Sequence, residues 1–276
     1  MKKINLFLSF IALLFITVSC NKSDDPNAPV NYEQQQTLAK NYAFIQDVYG
    51  DIFDLLCRAS DDSVLMASGN ANIGGAVVSY TPSTHLYTFI FPSSGSFEAN
   101  LNGDFRNLGT VANITFNNYT VGGNPITGNI KITNTGVQGF KSSNTIGPII
   151  SFTDSIYNAT ITKGGEVINV NALFHIDWMM GDTTIITDDQ YKFSGNINGV
   201  VSPYKSFSAV IQTGHEVIVN TISPYIQSGL INALMRTPNS DNNAAIETNV
   251  QIEFLSIASS YYVKITTPDG IIQVPQ

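Results

Sequence analysis

Three histidines, His85, His175 and His215, are the residues best suited to proton transfer near neutral pH, and they stand in separate segments of the chain. Any catalytic arrangement among them needs tertiary contacts. His215-Glu216 opens like the zinc motif H-E-x-x-H, but Val219 holds the place of the second histidine. The sequence has no G-x-S-x-G elbow, P-loop or dinucleotide fingerprint, so no catalytic residues are assigned. Its densest polar and aromatic cluster is His175-Ile176-Asp177-Trp178, followed by Gly181-Asp182-Thr183-Thr184 and Asp188-Asp189. On a strand, His175, Asp177 and Met179 point one way and Phe174, Ile176 and Trp178 the other. As a ligand site, either Trp178 is a platform for a sugar ring, with His175 and Asp177 as further candidate ligand-binding residues, or Asp182, Asp188 and Asp189 are hard oxygen ligands for calcium. The competing expectation makes Trp178 a core anchor and the acids turn formers. A glycosidase could also use a pair of such carboxyl groups, whose separation a sequence does not fix.

A second reactive group is the thiol of Cys20. It ends a segment in which Lys2-Lys3 precede the apolar run Ile4 to Val18, too short for a membrane span of roughly 20 residues but suited to a secretory signal. Ser19 directly before Cys20 resembles the lipobox of bacterial lipoproteins, with Thr17 where that pattern usually has Leu. The resemblance implies a diacylglycerol thioether and an acyl chain on Cys20, which becomes the new N-terminus. A plain secretory signal with an incidental cysteine is the alternative. Each buried methylene of such chains contributes about 0.8 kcal/mol, so several of them make a durable anchor. Asn21-Lys22-Ser23-Asp24-Asp25 resembles the short acidic tag of surface-exported lipoproteins of Bacteroidota, with Lys22, Asp24 and Asp25 as its charged residues. That likeness implies an outer-membrane protein facing the exterior, with the periplasmic face as the alternative. With Cys20 acylated, Cys57 is the one remaining thiol, which excludes an internal disulfide and a thiolate zinc site.

These groups need elements to position them. After the signal (1–19) and an extended tether (20–30), residues 31–60 place Leu38, Tyr42, Ile45, Val48, Tyr49, Ile52, Leu55 and Leu56 at three- and four-residue spacing. The spacing predicts one amphipathic helix whose apolar stripe must be covered, with Cys57 a small core residue near its end. Residues 61–276 then turn to short runs of strand-forming residues: 76–80, 86–91, 96–101, 157–162, 167–170, 172–180, 191–197, 207–213, 247–257, 261–266 and 271–274. Ile114, Phe116, Ile130 and Ile132 alternate with polar residues around the bend Gly122-Gly123-Asn124-Pro125, and Lys163-Gly164-Gly165-Glu166 is a second hairpin turn. Strands joined in sequence by short turns argue an antiparallel meander. The expected fold is therefore mainly β (α+β): an antiparallel β-sheet or sandwich covered by one long N-terminal α-helix.

A wider resemblance joins Asn118-Tyr119-Thr120-Val121, running to Gly128, with Trp178, Gly181-Asp182-Thr183-Thr184, Asp188-Asp189 and Ser194-Gly195. This series is similar to a family of uncharacterised Bacteroidota outer-membrane lipoproteins. Their closing Gly-Asp-Gly-Cys-Asp segment is missing, and Ile246 to Phe254 (IETNVQIEF) stands there instead. The likeness implies β architecture and localisation, and no activity.

The net charge is −8, and removal of residues 1–19, which carry two lysines and no acid, makes it more negative. Such a surface excludes nucleic acid as a partner. The partners expected are the membrane, through the lipid anchor, and a glycan or an outer-membrane protein; no cofactor is expected beyond the covalent lipid, with calcium as an addition only if the Asp182 to Asp189 loop binds it. The leading functional expectation is a non-enzymatic binding or interaction module. A hydrolase acting on an extracellular polymer and a structural envelope protein without a ligand are its rivals.

Overall fold

A computed structural model of the protein describes residues 32–140, 148–181, 189–221, 223, 225–239 and 244–276, with backbone alone for 137–140. Cys20, Lys22, Asp24, Asp25, Asp182 and Asp188 lie outside the described residues.

Helix α1 (Glu33–Asp61) is followed by a short helix α2 (Ser63–Ser68). Asp62 separates them by leaving helical geometry, and its Oδ1 accepts from the Leu65 backbone N–H at 2.7 Å to cap α2. Gly69 then stops α2 in the left-handed conformation that glycine adopts without steric cost. Neither helix is long and apolar enough to cross a membrane.

Every later element among the described residues is a strand. In chain order they are β1 (Asn70–Ile73), β2 (Ala76–Thr81), β3 (Leu86–Phe91), β4 (Gly95–Leu101), β5 (Val111–Asn117), β6 (Thr120–Val121), β7 (Asn124–Phe140) and β8 (Pro148–Lys163). The second half holds β9 (Glu166–Met179), β10 (Gln190–Ser202), β11 (Lys205–Ile211), β12 (Val217–Asn220), β13 (Ile226–Pro238), β14 (Ala245–Ile257), β15 (Ser260–Thr267) and β16 (Gly270–Pro275). The hydrogen-bonded path runs from β1 to β16 in sequence order; β6 and β12 lie off it, on β7 and against β10 and β13. The protein is thus mainly β, with one continuous antiparallel sheet where sequence patterning leaves sheet and sandwich open. The expected hairpins fall in place: Ile114 faces Ile130 and Ala112 faces Ile132, while Lys163 faces Glu166 across two glycines with φ of 60° and 81°. Positive φ at both central residues is what a tight two-residue hairpin needs.

The sheet curls around α1. The helix is touched from far along the strand path: Phe53 packs against Phe105 after β4, Phe152 of β8, and Tyr191 and Phe193 of β10, and Tyr42 meets Phe207 of β11 edge-on. Gln35 donates to Thr237 of β13 at 2.9 Å. After β1, Gly74 lies so close to Leu55 that a Cβ there would collide with it. Sequence spacing predicts a helix with a single apolar stripe laid over the sheet; instead the helix is buried almost all round. Between Leu38 and Ala59 every residue is buried except Lys40, Phe44, Asp47, Asp51, Asp54 and Arg58. Some buried polar groups of the helix find partners inside, as when Gln46 Oε1 accepts from the Tyr42 hydroxyl at 3.4 Å, while Gln46 Nε2 and the Tyr49 hydroxyl have none among the described residues.

The half-open residues recur at alternating steps of four and three. That average of 3.5 residues lies close to the helical period, so they form one line nearly parallel to the axis. The line is a seam along which the sheet leaves the helix accessible.

Candidate functional site

The alternation on β9 places the cluster singled out by sequence on two sides of the sheet. Trp178 points inward and is 0 % exposed. Its indole Nε1 donates to Asp189 Oδ2 at 2.7 Å, and the Gly181 backbone N–H donates to Asp189 Oδ1 at 2.9 Å. The Arg106 guanidinium, itself paired with Asp61, lies 5.0 Å from the Trp178 ring centroid. A ring buried on all sides has no face to offer a sugar, so Trp178 stands in the core. Asp189 holds two N–H donors, which aim positive charge at the carboxylate where calcium would need to bind. Among the described residues, no group of three or more His, Cys, Asp and Glu side chains is arranged to hold a metal ion.

His175 and Asp177 point outward, with Nε2 and Oδ1 3.2 Å apart. The Ser151 hydroxyl donates to the same Asp177 oxygen at 2.6 Å. Serine bonded to the acid, and not to the imidazole, lacks the base that a nucleophilic serine needs. The sheet itself separates this pair from Trp178, so the three do not share a ligand. His85 and His215 sit elsewhere: His85 Nδ1 lies 3.2 Å from the Tyr80 hydroxyl, and His215 lies in the turn after β11. Cys57 is fully buried, as a core residue should be, and burial pushes its thiol up, away from the reactive thiolate.

The described residues instead converge on the seam. Toward the C-terminal end of α1 lies a cavity of about 460 Å³ with Asp51, Asp54 and Arg58 on its helix side. Tyr119, Thr120 and Ser94 form one wall, and Asn220, Thr221 and Ser223 another. Arg58 Nε approaches Asp54 Oδ2 at 2.8 Å as an ion contact, and Arg58 Nη2 donates to the Thr221 carbonyl at 2.7 Å. Asp54 Oδ1 and Asn220 Oδ1 find no hydrogen-bond partner among the described residues. Both belong to residues that line the cavity. Tyr119 is fixed by stacking on Phe116 at 5.6 Å and by an edge contact with Phe97 at 5.5 Å.

Electrostatics distinguishes the acids of the seam. Burial, reinforced by Asp47 and Asp54 and opposed by Arg58, pushes the Asp51 carboxyl up to about 8. Burial likewise raises Asp54, against the pull of Arg58. Asp47, with Lys163 opposing burial, is pushed up to about 6. At neutral pH Asp51 is therefore largely protonated and can donate as well as accept, next to an aspartate–arginine pair. In KNYAFIQDVYGDIFDLLCR the seam reads as Asp47, Asp51, Asp54 and Arg58 spaced by four and three, with Lys40 and the aromatic Phe44 before them, a pattern equally expected of a solvated helix face.

Further along the seam lies a cavity of about 400 Å³ lined by Lys40, Ala43, Phe44, Asp47 and Lys163 with residues of β14 to β16. Comparison with family models, curated proteins and solved structures found no match for this chain.

Proposed function

We propose that the protein is a non-enzymatic binding module, held at the outer membrane by lipid on Cys20 and turned outward by the Lys22, Asp24 and Asp25 tag, that takes a glycan segment in the slot between Asp51 and Arg58. The observation that carries this reading is the composition of that slot. A protonated carboxyl, an ion pair, an amide, hydroxyls and a fixed aromatic ring converge on one half-open cavity of about 460 Å³. Sugars present vicinal hydroxyls that both donate and accept, and apolar C–H faces that suit an aromatic ring. The cavity volume falls in the usual range for small-ligand pockets. Calcium has no part in this reading. The test is a broad glycan array probed with the full chain, with and without calcium. Binding should persist without calcium and weaken about tenfold or more in Asp51→Ala and Asn220→Ala, as expected for each lost buried hydrogen bond. A blank array, or hits indifferent to both changes, would overturn it.

A hydrolase acting on an extracellular polymer is the second reading, and one observation favours it. Burial and the neighbouring acids push the Asp51 carboxyl up to about 8, toward the protonated form a general acid needs, and Asp51 lies one turn from the arginine-paired Asp54. Release of reducing ends from a polymer by the full chain, abolished in Asp51→Asn, is the expected outcome for this reading. Absence of release from every glycan that the array captures rejects it.

A further inference from the structure

We propose that the other half of the seam, beside Lys40 and Lys163, is a second binding site that takes a small amphipathic carboxylate. The proposal stands apart from the glycan reading, because it uses different residues and a different cavity. The chamber of about 400 Å³ is walled by Ala43 and Phe44 of α1, Phe254 of β14, Val263 of β15, and Val274 and Pro275 of β16. Apart from Asp47, which also lines the chamber, these walls are apolar and come from elements packed on the core, so the chamber is formed before any ligand arrives. Gln276, which also lines it, spends its side chain elsewhere: Nε2 donates to the Ile226 carbonyl and Oε1 accepts from the Ile226 N–H, each at 2.9 Å.

Two ammonium groups flank this apolar space. Lys163 ends β8 with its Nζ 3.5 Å from the Phe44 ring centroid, and Lys40 lies one turn before Phe44 on α1. Among the described residues no carboxylate comes within ion-pair distance of either lysine, although the chain carries 21 acids and 13 basic residues. A cation over an aromatic ring is attracted but stays charged. Lys163 has given up hydration to sit there, and burial draws its ammonium down from its ordinary value while Asp47 opposes. Asp47, the charge that opposes this shift, is raised by burial to about 6 and is still mainly ionised at neutral pH, so it offsets part of the positive charge of the two lysines without closing on either as an ion pair. A ligand with a hydrocarbon body and a carboxylate head satisfies both features: the body fills the apolar walls, and the head meets Lys163 and Lys40. A neutral apolar molecule leaves the ammonium groups unmatched, and an amphipathic amine is repelled by them.

The test is photo-crosslinking of the full chain with a diazirine-bearing decanoic acid, with the labelled peptides mapped. Labels should concentrate on the segments around Ala43-Phe44, Val263 and Val274. Decanoate should suppress them at concentrations about tenfold or more below those needed with decanol or decylamine. The double variant Lys40→Met, Lys163→Met should erase that preference while keeping the apolar walls. Val274→Trp, which fills the chamber from the edge strand, should block labelling altogether. Equal suppression by decanol overturns the carboxylate assignment, and labels concentrated on the outer face of the sheet, at Val167, Leu173 or Val210, overturn the site. Should the double variant fail to fold, the competition series on the unaltered chain decides the matter.

Discussion

The indole of Trp178 and the carboxylate of Asp189, on opposite sides of the β9–β10 connection, are joined by a 2.7 Å hydrogen bond inside the core. Asp189 also accepts from Gly181, so one buried carboxylate, 3 % exposed, pins both ends of that connection. The acid is therefore a structural staple, and its aromatic partner is a donor as well as a space filler.

Trp178→Phe keeps most of the ring but removes the donor. It should cost about 1–3 kcal/mol, the loss of a buried hydrogen bond to a charged acceptor. Trp178→Ala should cost about 3–5 kcal/mol, through the cavity it leaves. Urea unfolding of both variants checks the pair; equal stability of Trp178→Phe and the unaltered chain would show that the bond contributes nothing.

Phe53 joins the helix to the sheet more broadly. Its ring meets Phe152 and Tyr191 at 5.3 Å each and Phe193 at 6.0 Å, all near perpendicular. Edge-to-face pairs contribute about 0.5–1.5 kcal/mol beyond burial. Phe53→Ala should therefore cost about 3–5 kcal/mol, toward the upper end of that span. Phe44→Ala, on the open seam, should cost clearly less. Chemical denaturation of both variants measures the contrast, and similar losses would mean that the helix is not anchored through Phe53.

How much of this was legible varies element by element. Strand β3 spans the same Leu86–Phe91 that sequence assigns, because apolar residues there sit between clear turn signals. Strand β13 escapes assignment. Ile231, Ala233 and Met235 point inward, but Leu230 and Leu234 on the outer face blur the period of two, and Leu, Ala, Met and Arg favour helix. The first half of β8 is hidden for a related reason, since buried Ser151 and Asp154 interrupt its apolar pattern. The two faces of β9 were readable from alternation alone, and that alternation already parts Trp178 from His175 and Asp177. The seam was not readable as a site. Aspartates spaced by three and four look alike on a solvated helix and on one enclosed by a sheet, and only long-range strand pairing decides between them.

The proposed lipid anchor is tested through Cys20. A thioether needs the thiol, and several acyl chains on one residue hold a protein at a bilayer far longer than a single chain does. Cys20→Ala should abolish labelling by radioactive palmitate and release the protein from the membrane fraction. Labelling that persists in the variant would refute the lipid assignment. Replacing Asp24 and Asp25 by Ala should reduce shaving by added protease on intact cells, and unchanged shaving would reject the tag.

Asp154 makes stability depend on pH. It points inward from β8, 2 % exposed, and its Oδ1 and the Tyr49 hydroxyl lack hydrogen-bond partners among the described residues. Burial alone pushes its carboxyl up to about 8. In the unfolded chain the same group ionises near ~3.9. The folded state therefore holds a proton that the unfolded state releases, and the stability this confers is full below that value. It declines as pH rises between the two and is lost once pH passes about 8. Asp51 adds to the same window, and Asp47 to its lower part. Thermal unfolding from pH 5 to 9 should show the midpoint falling as the solution becomes more alkaline. Asp154→Asn, which stays neutral throughout, should flatten the profile and leave the variant relatively more stable at the alkaline end. A variant with the same slope as the unaltered chain would mean that the Asp154 carboxylate is not excluded from the folded core.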